Sequence, residues 1–319
     1  MEVRHLQLLR ELADRGSITA VAEATHRTAS AVSQQLRTAQ RDAGMQLVEP
    51  DGRGVRLTEA GRVLAAGGVE VETVLAAVRA RWDAYRNEPG GSVSVVAFPS
   101  AAALFYPRVM ESAARAGIEL RVADLDPAEH EFAELAADFD VVIAHSLDGP
   151  VPSGASGLVV RELMVEPLDI AMSAAHPLAN HRDLRAEDVA DATWIGVPVG
   201  YPFDAVLSSI EARAGRPLTI AQRLRDNRVI EALVASSEHL AVLPRFTTPG
   251  DDELRLVPLA DVPARRYVSA LIRPDKAQRR AVGSVLEAIG EVARAASRGE
   301  GGPPAPEEPT RGRALGARP

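Results

Sequence analysis

The chain has 319 residues, 46% hydrophobic and 25% charged, which excludes a wholly disordered protein and predicts two or three modules. It contains no cysteine, so disulfides, Cys-ligated zinc, iron–sulfur clusters and thiol nucleophiles are ruled out. The formal charge of −8 argues against a generic polyanion binder, and residues 1–65 carry nine Arg against eight Asp/Glu, so any nucleic-acid contact must come from local placement.

The N-terminal MEVRHLQLLRELADRG alternates charge with apolar residues and lacks the apolar core of a signal peptide. No apolar run approaches the ~18–20 residues of a membrane span, so a soluble cytoplasmic protein without membrane contact is expected. Val3, Leu6, Leu9 and Leu12 recur at helical spacing, and Gly16 supplies a stop. Ser17 is positioned to cap a second helix, Ile18 to Thr25, and Thr28 a third, Ala29 to about Ala43, with Val32, Leu36 and Ala39 inward. The two-residue link His26-Arg27 permits only a sharp crossing, so this is a helix-turn-helix. Leu47-Val48 and Val55-Arg56-Leu57 then flank a Gly-rich tip, giving a two-stranded wing.

Thr58 caps a long helix through about Asn87. Its small or apolar stripe runs Ala60, Leu64, Gly67, Val71, Val74, Val78, Trp82 and Tyr85, close to a coiled-coil seam. One helix cannot bury that stripe on itself, so a second copy of the chain is the simplest sink. Gly67-Gly68 marks a close crossing or a kink. Glu88-Pro89-Gly90-Gly91 ends the element.

From Ser92 strands alternate with helices. Strands are expected at 93–97, 119–123, 141–144, 169–172, 240–243 and 268–272. Helices are expected near 101–116, 129–137, 203–214, 228–236 and 276–296. The pattern is α/β, long enough for two small subdomains. Arg298 to Pro319 is rich in Gly and Pro with almost no large apolar residue, which predicts a disordered tail.

The third helix presents Thr28, Ala29, Ser30, Ser33, Gln34 and Arg37 away from its buried face. Short polar residues at a helix N-terminus can approach phosphates and base edges in a major groove. Gln34 suits bidentate contact with adenine, Arg37 suits phosphate, and Arg53 at the wing tip suits an adjacent minor groove. An ordinary helical bundle with a solvated polar face is the bland alternative. In the C-terminal half, Phe98-Pro99-Ser100-Ala101 follows a strand and opens a helix, leaving backbone N–H groups for an anion or carboxylate. His145 follows the third strand of this half, and Val199, Gly200 and Tyr201 form a comparable lip before another helix. His176 and His181 flank Pro177 without further ligands, poor metal geometry; no metal and no cofactor are expected. Asp138 and Asp140 read as structural, and no nucleophile–base pair suggests an enzyme.

The order of these parts resembles the LysR-type transcriptional regulators, over Glu2 to roughly Ala296. The resemblance is carried by Gly16-Ser17, the run Ala31 to Arg37, Val55-Arg56-Leu57-Thr58-Glu59-Ala60-Gly61, Ala175-His176-Pro177-Leu178 and Leu240 to Pro244. It implies a winged helix-turn-helix domain (1–57), a dimerising linker helix and hinge (58–90), and an effector-binding domain (91–297) before the tail (298–319). The effector domain is expected to be periplasmic-binding-protein-like, two α/β subdomains with a ligand between them and Ser100 at the family's ligand-contacting hydroxyl. Dimers pairing into a homotetramer on a pseudo-palindromic operator, and an unidentified small-molecule effector, are implied as well. A solute-binding protein or a ligand-independent regulator are the competing expectations. The sequence departs from the family at Thr28-Ala29-Ser30, where Ser-Gln-Pro is usual, at Val48-Glu49-Pro50-Asp51 in the wing, and at Gln40, where an acidic residue is usual.

Overall fold

A computed structural model describes residues 1–52, 54–85, 91–249 and 252–299. The N-terminal head has α1 (Val3–Arg15), α2 (Ile18–Ala24), α3 (Ala29–Ala43) and a hairpin of β1 (Val48–Asp51) with β2 (Gly54–Leu57). The expected caps are in place. The Ser17 hydroxyl accepts the Ala20 N–H, the Thr28 hydroxyl accepts the Ala31 N–H, and Gly16 and Gly44 end their helices with positive φ, a conformation cheap only for glycine. Gln40 has a structural role, because its Oε1 accepts the Leu47 N–H at 2.9 Å and fixes the start of the wing. Leu9, Leu12, Val21, Val32, Ala39 and Leu47 form the head's core.

α4 (Glu59–Tyr85) is capped by the Thr58 hydroxyl, which accepts the Gly61 N–H at 3.1 Å. Its stripe divides. The N-terminal part packs on α1 and the head core, with Ala60 and Leu64 against that core. Val74, Val78 and Trp82 stay exposed in the single chain. A second copy is therefore not needed to cover the first half, since α1 does so. The crossing is made by Gly68 alone, where a Cβ would stand 2.7 Å from the Leu6 carbonyl oxygen; beside Gly67 there is open space. Arg53, residues 86–90 and nearly all of the expected tail lie outside the described residues.

The C-terminal half holds β3 (Gly91–Ala97), α5 (Pro99–Arg115), β4 (Ile118–Asp124), β5 (Val141–Ser146) and β6 (Val159–Ser173). These are followed by α6 (Ala186–Val189), β7 (Thr193–Gly196), α7 (Pro202–Ala214), β8 (Thr219–Arg223), α8 (Asn227–Ala235), β9 (Ala241–Pro244) and β10 (Leu254–Val257). β11 (Arg265–Ile272), α9 (Pro274–Ala277) and α10 (Arg280–Ser297) are the last elements of the described residues. Two subdomains are present, as expected. In subdomain I the sheet runs β6–β11–β5–β3–β4, with β3, β4 and β5 parallel. In subdomain II the far half of β6 pairs β9 and β10, and β7 pairs β8 in parallel. Separate cores lie in each, around Phe105, Ile143 and Ile289 in one and Trp194, Ile210 and Ile230 in the other.

Several expected elements shift. The strand expected at 169–172 is the end of a 15-residue strand that runs through both subdomains. The helix expected over 129–137 is two short 3₁₀ turns, Glu129–Glu131 and Glu134–Ala137. Tightening the chain there buries Phe132 edge-on against Phe98 and His145. The helix expected over 276–296 breaks at Arg279, which is extended (ψ 127°) because its guanidinium bonds Asp140 at 2.9 Å and the Ser92 carbonyl.

Candidate functional site

The head presents one polar face. Arg27, Ser30, Gln34, Arg37 and Arg41 are exposed and recur every three or four residues along α3 and the turn before it, one side of a helix. Thr28 and Ala29 are exposed at its N-terminal turn, and Ser33 is half-buried. The Thr28 hydroxyl also lies 3.0 Å from the Ser30 hydroxyl, so it serves the cap. Among the described residues, none of the guanidinium groups of Arg27, Arg37 and Arg41 faces a carboxylate; Arg41 only donates to the Thr38 hydroxyl at 3.3 Å. Arg27 and Arg41 are members of this face that the sequence reading missed, although they continue the Ser30–Gln34–Arg37 spacing.

A second site is a cavity of about 470 Å³ between the subdomains, at the carboxyl ends of β3, β4 and β5, where open α/β sheets bind ligands. Ser100, His145, Gly200 and Tyr201 line it. Ala101 and Val199 do not. Ala101 turns into the core with no exposed surface, and Val199 points outward from its loop at 76% exposure, because each adjoins a lining residue and successive positions face different ways.

The floor is a residue the sequence reading did not single out. Arg266 on β11 is 2% exposed and sits directly opposite Glu166 on β6, itself 0% exposed. The Glu166 carboxylate accepts from Arg266 Nε at 2.8 Å and from the backbone N–H groups of Phe246 and Thr247 at 2.7 Å each. Arg266 also donates to the Ser100 hydroxyl at 3.2 Å and the Thr247 hydroxyl at 2.8 Å. Its guanidinium lies over Phe98 of subdomain I and Phe203 of subdomain II, 4.8 and 5.6 Å from the ring centroids. One buried cation therefore touches both subdomains where the two crossing strands meet. Such a pair is costly to desolvate and costlier to break.

His145 packs edge-on against Phe98 at 4.7 Å and Phe132 at 5.3 Å. Burial, helped by the Arg266 charge, drives its imidazole down to about 3, so the ring is neutral near pH 7. At the rim, desolvation raises the Asp126 carboxyl above its ordinary range while Arg225 and Arg266 oppose that rise. Arg225 lies 4.9 Å from the centroid of Tyr201. No group of three or more His, Cys, Asp or Glu suited to a metal occurs among the described residues, and no described helix is long and apolar enough to cross a membrane.

Residues 3–62 match the bacterial regulatory helix-turn-helix family of LysR type, and residues 86–294 match the LysR substrate binding domain. The chain is 26% identical over 300 residues to a RuBisCO operon transcriptional regulator of Allochromatium vinosum, covering 92% of this chain and 97% of that one. It is 23% identical over 250 residues to the transcriptional dual regulator GltC of Bacillus subtilis, covering 77% and 82%. Its fold is similar to that of a full-length OxyR variant from Pseudomonas aeruginosa, with a TM-score of 0.61 at 18% identity over 91% of this chain and 98% of the other.

Proposed function

The chain belongs to the LysR family of bacterial transcriptional regulators, and we propose that α3 reads its operator while a small molecule in the cleft adjusts that binding. It is a regulator with a helix-turn-helix DNA-binding domain and a substrate-binding domain. In this reading Gln34 meets a base edge, Ser30 and Ser33 approach the groove, and Ala29 offers only an apolar contact to a thymine methyl. Arg37, with Arg27 and Arg41 along the same face, neutralises phosphate, while Arg53 reaches the neighbouring minor groove. The observation that carries the reading is this exposed, arginine-bearing face, without carboxylate partners among the described residues.

A second copy covers Val74, Val78 and Trp82 of α4 and sets the spacing of two heads, so the operator is a pseudo-palindrome. Pairing of dimers through the C-terminal halves gives a tetramer, working in the cytoplasm. In the cleft, Ser100, His145, Gly200 and Tyr201 contact the effector, and no chemical step is assigned to them. The ligand acts only if it binds two arrangements of the assembly with different affinity.

The test is fluorescence anisotropy on duplexes recovered by genome-wide binding, across a salt series. Arg37→Ala should weaken binding to all sequences and reduce the salt slope by about one, while Gln34→Ala should relax preference at particular bases. Unchanged affinity, slope and base preference in both variants would refute the placement of α3.

A further inference from the structure

The two lips of the cleft carry charges of opposite sign that face each other, with no direct ion pair between them among the described residues. Subdomain I contributes Asp126 and Glu129 to the cavity wall, and among the described residues neither forms an ion pair or a hydrogen bond. Subdomain II contributes Arg225, stacked on Tyr201; among the described residues it makes no direct ion pair, and its charge acts on Asp126 only from across the cleft. Of the other charges in the wall, Asp226 is engaged as a helix cap and the rest are paired. Arg228 pairs with Glu231 at 2.9 Å, and the Asp226 carboxylate accepts the Arg228 N–H at 2.8 Å as the cap of α8. Arg266 is matched by Glu166.

An independent observation comes from His145. It lies in the cavity wall at 7% exposure, and its Nδ1 has no hydrogen-bond partner. Buried polar groups are nearly always satisfied, so an unpartnered nitrogen in this wall points to a ligand that bonds it. Beside it the wall is apolar, with Phe98, Phe203 and Val197.

Resting on the reading of the cleft as an effector site, we propose that its ligand is a zwitterion of the amino-acid class. The ammonium meets Asp126 and Glu129, the carboxylate meets Arg225, and an apolar body lies along Phe98 and Phe203. Charge-assisted hydrogen bonds at both ends would then satisfy both lips at once. A dicarboxylate sets a second anion against the acidic lip, and a simple amine leaves Arg225 unmatched. The volume of about 470 Å³ leaves room for a large side chain. His145, kept neutral, supplies hydrogen bonding without adding a third charge.

The experiment is calorimetric titration of the full-length protein with the twenty standard L-amino acids, simple mono- and dicarboxylates and simple amines. For every amino acid that binds, its des-amino acid, its decarboxylated amine and its N-acetyl derivative are titrated too. At least one amino acid should bind, with each of its three derivatives at least tenfold weaker. In Asp126→Asn the amino acid and its des-amino counterpart should converge to within about threefold, and in Arg225→Gln the amino acid and its amine should converge. The ligand series on the unaltered protein decides the matter even if a variant fails to fold. A des-amino acid binding as well as its amino acid, or carboxylates binding where no amino acid does, overturns the inference and leaves the cleft an effector site. No binding in any arm removes the effector reading together with it.

Discussion

Arg273 is the sharpest place to test how the head is held. It follows β11, is 9% exposed, and reaches carboxylates from three elements: Asp14 of α1 at 3.2 Å, Glu72 of α4 at 3.9 Å and Asp275 of α9 at 3.6 Å. Arg10 of α1, 3% exposed, joins the same cluster through Asp275 at 2.6 Å and through Glu72. Burial raises the Asp14 carboxyl, and Arg273 is the strongest influence holding it down. Breaking one partner of a fully buried pair costs roughly 3–5 kcal/mol. Because the acids here are 20–34% exposed, solvent screening lowers the expected cost of Arg273→Ala to about 2 kcal/mol. That is a factor of about 30 in the equilibrium for docking the head. The chain has no cysteine, so Met45→Cys and Val151→Cys, both at exposed sites, place two dyes without background. Measured by energy transfer after dilution into unlabelled protein, Arg273→Ala should broaden the distance distribution between head and C-terminal half. An unchanged distribution, with unchanged urea unfolding, would refute the idea that this cluster fastens the head.

Two adjacent glycines should respond oppositely. Gly68→Ala should destabilise by about 1–3 kcal/mol, since the added carbon meets the Leu6 carbonyl, whereas Gly67→Ala, facing open space, should stabilise by about 1 kcal/mol; thermal melts of the pair decide it. His145 sets a pH dependence. Its folded-state pKa of about 3 lies below the ordinary 6.5, so the unfolded chain takes up its proton first as pH falls. Its contribution is complete above about pH 6.5 and is lost between there and about 3, by up to about 1.4 kcal/mol per pH unit. His145→Gln should flatten urea-unfolding stability over that window, and an unaltered profile would count against the neutral buried ring.

The head was legible because its information is local. Helical spacing, Ser17, Thr28 and Thr58 as caps, and Gly16 as a stop act within one or two turns, so a linear reading finds them. The α/β order and the cleft lips at Ser100, His145, Gly200 and Tyr201 were legible for the same reason: strand ends and helix starts are written in adjacent residues. Lining was harder, as Ala101 and Val199 show, because which of two neighbours faces a cavity depends on backbone direction. β7, β8 and β10 escaped notice because strands of four or five residues carry too little periodicity of their own, whereas β9, equally short, is marked by an unbroken apolar run.

The amino-acid order alone thus determined the head, most of the longer elements with their order, and the Ser30–Gln34–Arg37 part of the α3 face. Tertiary structure decided what is joined. Glu166 and Arg266 meet across 100 residues of chain, and Arg10 and Asp275 across 265. β11 carries Arg266 at the cleft and leads directly to Arg273 beside the head. Charges so far apart in sequence leave no periodic trace, because their pairing is a consequence of strand register and domain docking.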